Sequence, residues 1–394
     1  MKIAYFTDTF LPQLNGIATA LANQAKELGK QGHEILIFTP KLDDIKRTKF
    51  VAKNVTVVHL PTVPALIYTE YKFGVFGLPR IIKHLIKFKP DILHSHTPFT
   101  IGLDAVLAAK VLKKPLVGTA HIYFTDSDYL RFVKYDLAVK LLGKISERYL
   151  NFMFNQCDLV LAPSKALTSD LKNNGFKKPI LYLPNGVILK TPKFLTEEEK
   201  KSLKSKYGLK DKVVLHFGRL SYEKNIDLLI KAFYLLTKNN KNLSLLIIGD
   251  GPAKKSLGKL SKKLGIEKQV LFTGFIDHQI LISSGMLGVG DVFATASTME
   301  NNPMVVLETM VYGLPVVGVK QAGLIELVSA NGFLVEPGNY KQLAEKIDKI
   351  LSNKDLAKKM SQQSLRLIRN YSIEKSVNKL IRMYQTLISK AGRI

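Results

Sequence analysis

Apolar runs of strand length alternate with helical patterns along almost the whole chain. Residues 2–8 (KIAYFTD) read as a short strand, and a loop holding Pro12, Asn15 and Gly16 leads into the helical stretch ATALANQAKELGKQGH, closing at Gly29 or Gly32. EILIFTP and VTVVHLP are the next strands. Helix IIKHLIKFK, strand DILHSHT, helix IGLDAVLAAKVLK and strand PLVGTAH follow, then a long helix over roughly 129–154, strand DLVLAPS, helix KALTSDLKNN and strand PILYLPNGV. A second start comes after the charged stretch 195–212, with strand KVVLHFGRL, helix IDLLIKAFYLLTK and strand LSLLIIGDG. Helix AKKSLGKLSKKLG, strands VLFTGF and DVFATAS, helix MVVLETMVYG and strand PVVGV complete that alternation, and helices around 340–352, 354–370 and 373–391 end the chain.

Strands that alternate with helices predict doubly wound parallel sheets. The fold class is α/β, with two Rossmann-like domains facing a cleft, over 1–188 and 189–372, and a C-terminal helix 373–394 that packs back on the first domain. Ligands of such sheets bind beyond the carboxyl ends of the strands, so the site is expected there.

Composition narrows the class. The 394 residues are 46% hydrophobic and 23% charged, which excludes a mainly disordered chain. No apolar run reaches the roughly 18 residues of a spanning helix, and MKIAYFTDTFLP reads as a strand and turn without a signal-peptide core. Cys157 is the only cysteine, so a disulfide framework and a cysteine-based zinc site are excluded and a reducing cytoplasm fits. The formal charge is +26, from 49 Lys and 9 Arg against 32 acids. That field favours anionic partners, although a codon bias toward lysine is a rival cause. No zinc finger, aromatic-basic run or helix-turn-helix signature is present, and no nucleic-acid partner is expected.

Chemistry concentrates in three places. In Glu300-Asn-Asn-Pro-Met-Val-Val-Leu-Glu308, two carboxylates flank a helix start near Pro303. Exposed N–H groups there favour a phosphate or sugar hydroxyls. The alternative is a helix whose acids cap its start and face solvent. Arg219 and Lys224 lie between a strand and a helix, where two cations can neutralise a diphosphate, or else form an exposed pair near Glu223. His121 closes a strand at the carboxyl edge of the first sheet, and His94 and His96 alternate on the neighbouring one. No further metal ligands accompany them, so no metal is expected. Asp126-Ser-Asp128 mimics a metal-binding DxD but reads as a helix cap, and Gly249-Asp-Gly251-Pro lacks the third glycine of a dinucleotide fingerprint.

Taken in order, Gly16, Gly218-Arg219 with Lys224, GDGP at 249–252, FTGF at 272–275, Glu300 to Glu308, Gly313-Leu-Pro-Val-Val317 and Glu336-Pro-Gly338 resemble the family-4 retaining glycosyltransferases of GT-B fold, over nearly the whole chain. The resemblance implies a hexosyltransferase using a nucleoside-diphosphate sugar, with UDP-glucose the expected donor and no metal or other cofactor. It implies that Arg219 and Lys224 grip the diphosphate and Glu308 the ribose, while Glu300 sits beside the donor sugar. Backbone at Asn301, Asn302, Met304 and Val305 would bind sugar and phosphate. Phe275 and Ile276 would meet the base, Gly16 would admit the donor, and His121 would lie near the transferred sugar. Asn301-Asn302-Pro303 departs from the glycine many relatives carry, and the stretch from Glu326 to Gly332 is shorter than usual, so sugar contacts are expected to differ.

The acceptor is expected in the first half. Residues 64–79 are apolar and aromatic, a basic segment starts at Arg80, and Lys140, Lys144 and Arg148 form a cationic stripe beside Leu137, Leu141 and Ile145. This arrangement resembles the monotopic diacylglycerol glucosyltransferases and, more loosely, the phosphatidylinositol mannosyltransferases. It implies a lipid acceptor at an anionic membrane surface, the enzyme sitting peripherally on the inner face. A soluble or polysaccharide-precursor acceptor and a noncatalytic basic binding module are the alternatives.

Overall fold

A computed structural model describes residues 1–13, 15–42, 50–64, 72–75, 77–121, 136–189 and 193–392. The chain forms two compact units, Met1–Gly186 together with Ile373–Ile394, and Val187–Ser372.

The first unit comprises β1 (Lys2–Phe6), α1 (Gly16–Lys30), β2 (Glu34–Pro40), β3 (Val55–Leu60), β4 (Thr62–Pro64), β5 (Lys72–Gly74), α2 (Leu78–Phe88), β6 (Ile92–Ser95), α3 (Thr100–Leu112), β7 (Leu116–Thr119), α4 (Asp136–Asn155), β8 (Leu159–Ala162), α5 (Lys165–Asn173) and β9 (Ile180–Tyr182). Its seven-stranded sheet runs β3-β2-β1-β6-β7-β8-β9 and is parallel throughout. Ile3 to Phe6 are fully buried, as central strands covered on both faces must be. Buried positions of α2, α3, α4 and α5 join one apolar core on a single face of the sheet. The strands these helices connect advance in one direction along the sheet, and the right-handed rule for parallel crossovers puts such helices on one face.

The second unit comprises α6 (Glu197–Lys206), β10 (Lys212–Phe217), α7 (Ile226–Asn239), β11 (Leu243–Ile248), α8 (Lys254–Lys263), β12 (Val270–Gly274), α9 (His278–Ser284), β13 (Val292–Ala294), α10 (Met304–Val311), β14 (Val316–Val319), α11 (Ala322–Leu327), β15 (Gly332–Val335), α12 (Tyr340–Ser352) and α13 (Lys354–Ile368). Its parallel sheet runs β12-β11-β10-β13-β14-β15. That is the doubly wound Rossmann order. The last helix, α14 (Ile373–Ala391), belongs to the first unit and packs on α1. Its buried residues Ile373, Val377, Leu380 and Tyr384 recur at helical spacing on one face.

The periodicity located the main strands and helices. Reading 195–212 as a charged stretch overlooked α6, a polar helix with no buried residue, set by the Thr196/Glu199 capping box. The edge strand β15, the short α9 and α11 and the antiparallel pair β4 and β5 were also passed over, all being brief.

Candidate functional site

In the second unit the strand order reverses between β10 and β13. Sheets of this order take their ligands beyond the carboxyl ends of the strands on either side of that reversal. The loop after β10 carries Arg219 and Lys224, and the loop after β13 carries Glu300. Lys224 Nζ lies 2.7 Å from Glu300 Oε1, with the two side chains 25% and 11% exposed. The pair therefore spans the reversal point. Lys224 ends a 3-10 turn, and Asn225 after it takes φ 49, with Nδ2 donating to the Ala296 carbonyl at 3.4 Å and to Thr298 Oγ1 at 3.3 Å. Arg219 is half-buried in the same loop.

Backbone packing sets that loop. Gly218 N–H donates to the Ile248 carbonyl at 3.0 Å and Leu220 N–H to the Asp250 carbonyl at 2.9 Å. Gly249 has φ +137, and a Cβ there would lie 1.9 Å from the Gly218 carbonyl oxygen. Only glycine permits this approach of the two turns. Below the ion pair, His216 Nδ1 donates to the Ala294 carbonyl at 2.9 Å, and burial pushes this imidazole down to about 4. His216 is accordingly uncharged at neutral pH.

Pro303 caps α10 with extended backbone, so the helix begins at Met304. Glu300 precedes it and Glu308 lies in its second turn. Neither acid caps the helix through its side chain, and Glu308 is only 5% exposed, which overturns the solvent-facing alternative. His278 Nε2, at the start of α9, is 2.8 Å from Glu308 Oε1. Burial and the Glu308 charge together push the Tyr312 phenol up to about 12. Asn301 is half-buried, Asn302 and Met304 are buried, and Val305 is partly so. Gly323 N–H donates to the Glu300 carbonyl at 2.8 Å, and a Cβ at Gly323 would lie 1.9 Å from the Asn301 carbonyl oxygen. The loop 300–302 is thus pinned from below by the start of α11. Phe275, exposed, and Ile276, half-buried, follow β12.

In the first unit, Gly16 opens α1 and is exposed, next to the cap Asn15, whose side chain accepts from Ala18 N–H at 2.8 Å. His121 lies two residues beyond β7 and is partly buried. His94 and His96 do share one direction: their ring centroids are 3.9 Å apart, and His96 stacks on His121 at 5.8 Å. Burial lowers all three, His121 to about 4. No cluster among the described residues could hold a metal ion.

Residues 65–71 and 76 of the aromatic stretch, Asp126, Asp128 and the side chains of Leu137, Lys140 and Leu141 lie outside the described residues. His278 was missed. Its signal was available: Asp277 is a helix cap placed just beyond a strand end, which puts the next side chain at the sheet's carboxyl edge.

Two family models match the chain, glycosyl transferases group 1 over residues 197–366 and glycosyltransferase family 4 over 14–191. The alpha-monoglucosyldiacylglycerol synthase of Streptococcus pneumoniae is 31% identical over 340 residues, covering 84% of this chain and 74% of that protein. The chain belongs to the family-4 glycosyltransferases. A second alpha-monoglucosyldiacylglycerol synthase, from Acholeplasma laidlawii, is 28% identical to this glycosyltransferase over 80% of each chain. The solved structure of Anabaena HepE in complex with UDP-glucose matches with TM-score 0.79 and 20% identity, over 98% of the glycosyltransferase and 100% of HepE. The shared fold is GT-B.

Proposed function

We propose that this glycosyltransferase moves glucose from UDP-glucose to a diacylglycerol-type lipid at an anionic membrane surface, with retention and without a metal. The observation that carries the donor half is the Lys224–Glu300 pair at the reversal point of the second sheet, beside the start of α10. As the bond from the anomeric carbon to the phosphate oxygen breaks, the electron pair leaves on the diphosphate. Arg219, Lys224 and the first N–H groups of α10 are assigned to that charge, which they would stabilise most in the transition state. Glu300 is assigned to the donor sugar and Glu308 to the ribose. Glu308 Oε1 is taken by His278, so the ribose would use the remaining acceptor positions of the carboxylate. His121 is assigned a hydrogen bond to the transferred sugar.

Support for the lipid half comes from two relatives named as diacylglycerol glycolipid synthases and from the outer helices of the first unit. On α3, Leu103, Leu107 and Val111 are exposed at successive turns, with Lys110, Lys113 and Lys114 beside them. On α4, Ile145, Tyr149 and Phe152 are exposed, flanked by Lys144 and Arg148. Apolar stripes bordered by cations suit the headgroup boundary of an acidic bilayer. No helix among the described residues is long and apolar enough to cross a membrane.

The test is transfer from labelled UDP-glucose, UDP-galactose and GDP-mannose to diacylglycerol in anionic or neutral vesicles, with and without EDTA. Lipid-extractable α-glucoside formed from UDP-glucose in EDTA supports the reading. Product only from soluble acceptors, or loss of transfer in EDTA with recovery on adding Mn²⁺, overturns the lipid or the metal-free part respectively.

A further inference from the structure

The first unit holds a buried column of polar rings to which no role has been given. Thr119 Oγ1 lies 2.7 Å from His94 Nε2, and His94 Nδ1 is hydrogen-bonded to the hydroxyl of Tyr384 on α14. Tyr384 Oη lies 3.5 Å from Tyr5 Oη, and Tyr5 donates to Gln24 Oε1 at 2.6 Å. His94 and Tyr384 are fully buried, and burial raises both tyrosine phenols, so each stays protonated.

Ring contacts carry the column onward. The His94 and His96 planes are tilted by 30° at a centroid distance of 3.9 Å, and His96 Nδ1 lies 3.5 Å from His121 Nε2. The two nitrogens of His94 are both clamped by hydroxyls, which fixes the plane of that ring. His96 differs. Its Nε2 is buried without a hydrogen-bond partner among the described residues, and Tyr5 meets it edge-on at 4.5 Å. Ring contacts thus link His94 to His96 and His96 to His121.

We propose that Tyr384 is a positioning residue for His121: its hydroxyl fixes His94, His94 sets His96 by ring contact, and His96 sets the partly exposed histidine at the column's end. The C-terminal helix would then act in the reaction by orientation, while also covering the sheet. The functional half of this proposal rests on the assignment of His121 to the transferred sugar. The coupling itself rests only on the geometry of the column.

The experiment uses the full chain with 15N-labelled histidine and three variants, Tyr384→Phe, Tyr5→Phe and His121→Ala. Tyr384→Phe keeps the ring and removes the hydroxyl from His94. The His121 imidazole resonances should shift, and kcat should fall about 10-fold with the donor KM within about 2-fold. Tyr5→Phe removes an equally buried hydroxyl that reaches His94 only through Tyr384, and should move the His121 resonances much less than Tyr384→Phe does. Unmoved His121 resonances in Tyr384→Phe, or an equal shift in Tyr5→Phe, overturn the positioning role. Shifted resonances with full turnover in both Tyr384→Phe and His121→Ala support the coupling and overturn the assignment of His121 to the sugar.

Discussion

Lys224 and Glu300 are tied to one another across two loops, so a change in either is felt by both. Lys224→Ala removes a cation from the proposed diphosphate grip and leaves a largely buried carboxylate without its 2.7 Å partner. The expected loss is about 2–4 kcal/mol in the barrier, read as kcat/KM in a variant whose thermal unfolding remains cooperative. Near-normal kcat/KM would make Lys224 a structural partner of Glu300 and nothing more. Glu300→Gln keeps the size and removes the charge, so turnover should collapse with donor KM little changed. If Glu308→Gln does more damage to turnover, the two carboxylate roles are exchanged. His278→Ala should weaken UDP binding, measured calorimetrically, because Glu308 loses the 2.8 Å contact that holds its carboxylate in one rotamer. At this scale the sequence revealed the candidate residue types but not their pairing. Spacing along the chain places Lys224 between strand and helix, yet only the sheet order brings a residue 76 positions later against it.

At the scale of elements, close backbone approach and burial decide the outcome. Gly249→Ala would place a Cβ 1.9 Å from the Gly218 carbonyl oxygen at φ +137. Stability should fall by about 2 kcal/mol or more, and UDP affinity with it, since the turn holding Arg219 must move. A variant with unchanged Tm and affinity would show that the two turns can part freely. Two titrations act in opposite directions in the first unit. Burial, with the Asp8 charge second, pushes Asp104 on α3 up to about 6. Its contribution is full below the ordinary carboxylate pKa of 3.8 and is lost as pH rises through about 6. Asp104→Asn should therefore raise Tm near about pH 7.5, and the gain should shrink toward about pH 4. His121, pushed down to about 4 from 6.5, contributes stability that is full above 6.5 and lost as pH falls toward about 4. The strand and helix alternation was legible because buried parallel strands carry near-continuous apolar runs, as in Leu245–Ile248. The polar helix α6 and the short α9 were not, because caps and tertiary contacts hold them instead of an apolar stripe.

The whole molecule carries +26, spread over its length: residues 1–190 hold 26 basic against 14 acidic side chains. A uniform charge of that kind does not by itself name a membrane, since a lysine-favouring codon bias produces it too. The discriminating feature is where apolar residues stand among the cations. Val111 is 64% exposed on α3 and Phe152 56% on α4, on outward stripes that also carry Lys110, Lys144 and Arg148. Each surface cation near an acidic leaflet adds about 1 kcal/mol and is screened by salt. Buried apolar surface adds about 25 cal/mol per Å² and is not screened. Binding to anionic vesicles should accordingly weaken with salt without vanishing. Lys144→Glu with Arg148→Glu should abolish the salt-sensitive part. Leu107→Ser with Val111→Ser should abolish the salt-resistant part, and both pairs should spare hydrolysis of the sugar nucleotide, because all four side chains face outward. Codon bias predicts no preference for anionic vesicles and no effect of either pair. Vesicle flotation at low and high salt separates the two accounts, and equal binding of neutral and anionic vesicles by all three proteins would remove the membrane from the reading.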